Sequence, residues 1–223
     1  MDIDSFAQCL EFIQTTASNK PPLEGYLPIV GTLLGTGLGF GLNQYVSWRK
    51  DGKTKKAKKR CCEEDLAELI HICDHTLKSM MEFCGPISVK QRPLDHNLLS
   101  TVDLPLLDEY YPEIAHSFSV DQRYWIKIIF RYVKDLNKNL EELFNHHDEK
   151  SLYRISITLL NTTAILMQTY RLSTWALADK KHDLSDGEDL LREIEISEED
   201  IAAYNLLKHN ADNQNAVLRL INE

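Results

Sequence analysis

The chain has 223 residues, a net charge of −9 and 43% hydrophobic residues. That length suits one domain with an appendage or two small domains, and the composition excludes a chain that is disordered as a whole. The acidity is uneven, because residues 49–60 carry eight bases and one acid, whereas residues 183–223 carry eleven acids and three bases. Each block therefore sets its own electrostatic field.

The cysteines argue against a secreted domain that is held together by disulfides. Their number is odd, and no CxxC pair is present. A reducing compartment keeps such cysteines as thiols, and we interpret them as structural. They are Cys9, Cys61, Cys62, Cys73 and Cys84.

Residues 1–24 predict a short amphipathic segment. Apolar side chains recur at helical spacing from Ile3 to Ile13. Pro21 and Pro22 then end any helix. A short helix of this kind is suited to the surface of a bilayer.

Residues 25–48 predict a transmembrane helix. They form 24 uncharged positions, six of them glycine. A helix of that length spans about 36 Å, which exceeds the roughly 30 Å of the hydrocarbon core of a bilayer. Tyr26 near the start, and Tyr45 and Trp48 at the end, match the aromatic rings that lie at headgroup level.

Other interpretations of the same stretch are less favoured. Gly35, Gly37 and Gly39 alternate as in a nucleotide-binding loop, but such a loop needs a preceding strand and a later acid, whereas this chain continues into a lysine cluster. A signal peptide is excluded because the residues before the apolar run are acidic. A buried helix or hairpin of a soluble protein is the alternative that the sequence leaves open.

The glycines of this stretch predict association between helices. Gly31, Gly35 and Gly39 lie four residues apart and share one helix face, which Thr32 and Thr36 flank. Small residues at that spacing let helix backbones approach closely in lipid. We expect a homo-oligomer; the alternative is that the glycines only keep an anchor flexible.

Residues 49–60 form a basic linker next to the predicted membrane span. The positive-inside rule places residues 49–223 in the cytosol and the N-terminus outside, which makes this a single-pass membrane protein. Anionic membrane lipid is the predicted partner of this run. Nucleic-acid phosphate is the alternative, without base stacking because no aromatic residue is interleaved. The bases are Arg49, Lys50, Lys53, Lys55, Lys56, Lys58, Lys59 and Arg60.

Residues 61–223 predict a cytosolic all-α domain of five to seven helices. The first helix carries an apolar stripe from Leu66 to Cys84. We expect an interruption near Gly52 and a stop at Gly85–Pro86. The fold class is therefore all-α, with one N-terminal transmembrane helix followed by a cytosolic helical bundle.

Three helix starts are visible in the sequence. Asp103 precedes Pro105 and is predicted to cap a short helix. Ser119 and Gln122 have the spacing of a capping box. Ser197 is predicted to cap the last helical segment.

Residues 152–178 form the most apolar element of the cytosolic part. Arg154 and Arg171 leave only sixteen uncharged residues between them. A buried central helix of the bundle explains this better than a second membrane span.

Catalysis is not expected. His71 and His75 lie one helical turn apart, the spacing of two metal ligands, and Glu68 or Cys62 is available as a third. The HExxH pattern of metalloproteases is absent, so we expect a solvated histidine pair rather than a metal site. No nucleophile–base pair stands out, and we predict no cofactor, no small-molecule substrate and no enzymatic activity.

The acidic N-terminus, the stretches IVGTLLGTGLGFGL and KTKKAKKR, and a helical cytosolic domain together resemble the small transmembrane effectors of retron-type anti-phage defence systems. The resemblance implies abortive infection, in which a phage trigger releases an effector that damages the membrane. It also implies a location in the bacterial inner membrane and a regulatory complex with a reverse transcriptase and its nucleic acid. The alternatives are a membrane-tethered scaffold that recruits a cytosolic protein and, less favoured, a metal-dependent hydrolase that uses His71 and His75.

Overall fold

The computed structural model describes residues 8, 10–12, 14–15, 22–91, 98–146, 151–181 and 187–222. Over these residues all regular secondary structure is helical and no strand occurs, so the predicted all-α class is confirmed. The described residues of the predicted N-terminal helix are helical, and the rest of that segment lies outside the described residues. From residue 22 onward the helices are α1 (Pro22–Ser88), α2 (Pro105–Ile114), a 3-10 turn (Ala115–Ser117), α3 (Val120–His146), α4 (Leu152–Ala178), α5 (Gly187–Glu193) and α6 (Glu198–Asn222).

The chain divides into two compact units, Met1–Lys56 and Ala57–Glu223. The division falls inside the predicted linker 49–60, and that linker is helical throughout. A break near Gly52 does not occur, because one glycine among good helix formers costs only about 1 kcal/mol.

α1 also passes through Gly85 and Pro86, where the sequence predicts its end, and continues to Ser88. Ile87 is only 3% exposed, so its packing into the core holds this last turn in place. The hydroxyl of Ser88 donates to the carbonyl of Gly85 at 2.7 Å and satisfies an acceptor at the helix end. Tertiary packing thus overrides two residues that locally favour a stop.

The second unit is organised around one hydrophobic core. The apolar stripe of α1 from Leu66 to Cys84 is buried in it, and α3 and α4 pack against each other. Burial of large aliphatic side chains contributes roughly 1.5–3 kcal/mol each to the stability of such a core. The largest fully buried side chains are Leu66, Leu69, Leu77, Met80, Met81, Leu107, Ile114, Ile126, Ile129, Leu136, Leu140 and Leu159.

α4 is the buried helix that the sequence predicts, and its bounds are those expected. Four of its five threonines are buried as well, which is unusual for polar side chains. Thr162 donates to the carbonyl of Thr158 at 2.6 Å, and Thr163 donates to that of Leu159 at 2.9 Å. Because these hydroxyls are satisfied by the helix's own backbone, they are tolerated inside the core.

Two of the predicted helix caps are confirmed. The amide of Gln122 donates to the Ser119 hydroxyl at 3.1 Å, and the Gln122 side-chain oxygen accepts from the Ser119 amide at 3.0 Å. The Gln122 side chain also donates to the carbonyl of Ala176 at 2.6 Å, which joins the start of α3 to the end of α4. At α6 the Ser197 hydroxyl accepts from the Asp200 amide at 3.1 Å.

The predicted cap of α2 by Asp103 is wrong. Leu104 and not Asp103 occupies the N-cap position, and Asp103 is exposed between the buried Val102 and Leu104. The cap comes from another helix, since the Asp65 carboxylate of α1 accepts from the Leu107 amide at 2.7 Å. Asp65 is only 3% exposed, and this hydrogen bond fixes the start of α2 against α1.

Asp65→Ala should lower the free energy of unfolding of the second unit by about 1–3 kcal/mol, because the buried amide of Leu107 loses its acceptor. Asp65→Asn keeps an oxygen at the same place and should lose clearly less. Urea unfolding followed by fluorescence measures both, since Trp125 and Trp175 form a close pair in the core with ring centroids 5.9 Å apart. Equal effects of the two variants would contradict the capping role.

Candidate functional site

The first unit exposes a continuous apolar helix surface. Every side chain from Gly31 to Lys56 is exposed. We call residues 31–48 the apolar segment. It contains most of the large exposed hydrophobic side chains of the described chain, and a contiguous surface of this kind marks a site for a partner or a membrane. Its large side chains are Leu33, Leu34, Leu38, Phe40, Leu42, Tyr45, Val46 and Trp48, which are 47–73% exposed.

The glycines of the apolar segment are not required by packing within the chain. A Cβ atom built at Gly31, Gly35 or Gly39 meets no atom within 4 Å, and the same holds for Gly37 and Gly41. Each glycine in a helix interior costs about 1 kcal/mol relative to alanine. No contact of the described chain offsets that cost, so the glycine faces are open to a closely approaching helix from outside it.

The two threonines flanking the glycines form local contacts. The Thr36 hydroxyl donates to the carbonyl of Thr32 at 2.6 Å, within the same helix. Its proton is therefore committed to the helix backbone. The association role predicted for Thr32 and Thr36 stays a prediction.

No helix, over the residues that the structure describes, combines the length and the apolar character needed to cross a bilayer. The membrane helix predicted for residues 25–48 is therefore not supported by the structure. Its orientation and its inner-membrane location stay predictions.

The basic run 49–60 is divided between the two units. Five of its bases lie in the first unit, are exposed and have no ion pair within the described part of the chain. Arg49, Lys53 and Lys56 among them follow each other at spacings of four and three residues, so they share one face of α1. The five are Arg49, Lys50, Lys53, Lys55 and Lys56.

The other three bases lie in the second unit and form ion pairs there. Lys58 forms an ion pair with Glu113 of α2, and its ammonium lies 5.3 Å from the centre of the Tyr110 ring. The hydrogen bond to Glu113 raises the pKa of Lys58. Lys59 lies 3.7 Å from Glu63 and Arg60 lies 3.3 Å from Glu64, measured between the charged atoms.

The eight bases predicted to face lipid phosphate therefore differ in whether they already have an ion-pair partner. Ion pairs at a solvent-exposed surface are weak, so Lys58, Lys59 and Arg60 are held only loosely. The bases of the first unit form no such pair with the described residues, so none has to break before they meet a phosphate.

A second cluster lies on α1 in the second unit. His71 and His75 are exposed, with ring centroids 4.4 Å apart and ring planes perpendicular. Asp74 completes the group, and the ligand atoms of the three residues lie within 4.8 Å of one another. The Asp74 carboxylate also accepts a hydrogen bond from Lys78 at 3.1 Å.

The third member of the cluster is Asp74, whereas the sequence suggests Glu68 or Cys62 as a third ligand. Cys62 is fully buried and its thiol donates to the carbonyl of Leu106 at 3.8 Å, and Glu68 does not join the group. The spacing itself carries the missing signal, because residues at i, i+3 and i+4 share one helix face. His71, Asp74 and His75 have that spacing.

The buried cysteines are chemically quiet. Burial raises the pKa of Cys73 and of Cys84 to about 12 and that of Cys62 to about 11. Thiols rather than thiolates are therefore present at neutral pH, and a thiol is a poor nucleophile and metal ligand. The interpretation of these cysteines as structural fits this environment.

No family model, no curated protein and no solved structure matches the chain. The assignment of a function therefore depends on the exposed apolar segment, the bases beside it and the histidine cluster.

Native thiol labelling at pH 8 should distinguish the cysteines in a Cys9→Ser background. Cys61 is partly exposed and should react first. With a pKa of about 12, Cys73 and Cys84 hold only about one thiolate in ten thousand at that pH, and burial also blocks the reagent. Mass spectrometry after timed quenching gives the order, with urea-unfolded chain as the control. Labelling of Cys73 in the folded chain at the rate of Cys61 would contradict the core placement.

Proposed function

We propose that the protein is a membrane-anchored effector of bacterial antiviral defence, which perturbs the inner membrane when it is activated through its helical unit Ala57–Glu223. One observation carries the proposal: the apolar segment is uncharged and exposed along its whole length, and exposed bases follow it directly. Lipid, or copies of the same helix within lipid, buries such a surface.

The orientation follows from the charges. Residues 25–48 lie in the bilayer, with the bases from Arg49 to Lys56 at its cytoplasmic face and residues 1–24 outside. Each lysine or arginine near an anionic leaflet contributes about 1 kcal/mol of attraction. Because these bases form no ion pair with any residue that the structure describes, that attraction is available to lipid.

The glycines supply the means of association. Gly31, Gly35 and Gly39 present bare backbone with open space in front of them, and helices that approach along such a stripe bring several copies together. An assembly of this kind disturbs the bilayer more than one passive helix does. A homo-oligomer is therefore the active form of the effector.

The role in defence rests on the resemblance to retron effectors. A complex with a reverse transcriptase and its nucleic acid would hold the helical unit inactive until a phage trigger releases it. A membrane-tethered scaffold shares the same anchor but leaves the bilayer intact, so the two functions differ in what overproduction does to the cell.

Overproduction of the full chain in a bacterial host should collapse the membrane potential and arrest growth, and Gly35→Leu should abolish both effects. A Cβ atom at Gly35 meets no atom within 4 Å, so we expect the larger side chain to interrupt the stripe without disturbing the fold. Gly37→Leu is the matched control, since Gly37 is equally open but lies outside the Gly31–Gly35–Gly39 series.

A potential-sensitive dye and the growth curve are read together. Loss of toxicity in Gly35→Leu with toxicity kept in Gly37→Leu supports association through the stripe. A harmless wild-type chain removes the effector function and favours the scaffold. Equal toxicity of the wild type and Gly35→Leu would remove the role of the glycines.

The bases of the first unit should set the orientation. A triple variant with Arg49, Lys53 and Lys56 replaced by glutamine should lower the fraction of chains with a cytoplasmic C-terminus. Fluorescent-protein and alkaline-phosphatase fusions at the C-terminus report the two orientations. A second triple variant replaces the same number of exposed bases by glutamine on α3, at Lys127, Lys134 and Lys138.

That second variant should keep the wild-type orientation because its positions are remote in sequence from the span. An active phosphatase on the wild-type C-terminus would show that the predicted orientation is reversed. The same distribution in both triple variants would show that these bases do not direct it.

A further inference from the structure

We propose that His71, Asp74 and His75 form a binding site for a divalent transition-metal ion of the Zn²⁺ type on the exposed face of α1. The sequence alone favours a solvated histidine pair, because the HExxH pattern of metalloproteases is absent. Asp74 adds a third ligand on the same face. The site does not depend on membrane insertion, so this proposal can be tested separately from the function proposed above.

The helix brings the ligands together. Residues at i, i+3 and i+4 lie side by side on one helix face, about 5–6 Å apart at Cβ. The ligand atoms of the three residues already lie within 4.8 Å of one another. Metal–ligand bonds of about 2.0–2.2 Å require somewhat shorter separations, which rotation of exposed side chains provides. Both histidines are exposed and free of core packing.

The donor set selects the class of ion. Two imidazoles and one carboxylate suit zinc and its neighbours in the transition series. Magnesium and calcium instead require oxygen ligands in larger number. Three protein ligands leave further coordination positions, and because the face is exposed, water has access to them.

The Asp74 carboxylate already has a cationic partner. Lys78 donates to it at 3.1 Å, and the side chains of Lys78 and Asp74 are 40% and 20% exposed. An i, i+4 pair on a helix contributes less than about 1 kcal/mol, so we expect a divalent ion that also binds both imidazoles to displace the lysine.

The site is attached to the core of the second unit. Cys73 and Leu77, on the neighbouring face of α1, are fully buried. A metal that joins His71 to His75 fixes one turn of a core helix, and an ion that binds only the folded chain stabilises that chain. Metal binding and thermal stability should therefore rise together.

The experiment uses the full chain, purified in detergent without a histidine tag, in a background in which Cys9 and Cys61 are replaced by serine. Isothermal titration with Zn²⁺ should show one site per chain, and the midpoint of thermal unfolding should rise with added Zn²⁺ and return after a chelator. Mg²⁺ is the control ion and should give neither signal.

Variants assign the ligands. His75→Ala should remove the binding and the thermal shift, and Asp74→Asn should weaken binding. Lys78→Met should tighten it by up to about fivefold, since it frees Asp74 from its ion pair. His209→Ala is the matched control, because His209 is exposed on α6 outside the cluster.

Circular dichroism verifies that each variant keeps its helices. Loss of binding in His75→Ala, with binding kept in His209→Ala, supports the site. Unchanged Zn²⁺ binding in His75→Ala, or no binding by the parent chain, overturns it. Lys78→Met supplies an independent test, since tighter binding cannot come from a damaged fold.

Discussion

Water is a poor solvent for the apolar segment, and the proposed function depends on this one constraint. Its large side chains project from the part of α1 in the first unit, where every described side chain is exposed. Leaving a leucine or phenylalanine exposed forgoes roughly 1.5–3 kcal/mol. Leu33, Phe40 and Trp48 are each 67–73% exposed, so much apolar surface remains for a molecule outside the chain to cover. The roles proposed for the glycine stripe and the neighbouring bases depend on that exposed surface.

The second unit behaves in the opposite way. From Cys62 onward α1 turns its apolar residues into a closed core, where buried hydroxyls and the Asp65 carboxylate have hydrogen-bond partners. Only the Ser173 hydroxyl, among buried side-chain polar atoms of the described residues, lacks a partner. This unit therefore buries its apolar side chains by itself, whereas the first unit exposes both its apolar and its basic surface.

Local chemistry explains what the sequence could predict. The bounds of α4 and the Ser119–Gln122 cap depend on neighbouring residues, so periodicity and spacing reveal them. The cap of α2 by Asp65 links residues 42 positions apart, and no local pattern indicates such a contact. The continuation of α1 past Gly85 likewise depends on the burial of Ile87. Asp74 is a different case. Its i, i+3, i+4 spacing with the two histidines is visible in the sequence, but only the structure shows that the three ligand atoms lie within 4.8 Å of one another.

The environment of the apolar segment is the central claim, and fractionation of a detergent-free bacterial lysate tests it most directly. Ultracentrifugation should bring the full-length chain down with the membranes, and a high-salt wash that releases proteins held by charge alone should leave it in the pellet. Full-length chain that stays in the supernatant would contradict the claim, because its leucines, phenylalanine and tryptophan would then be covered by something other than lipid.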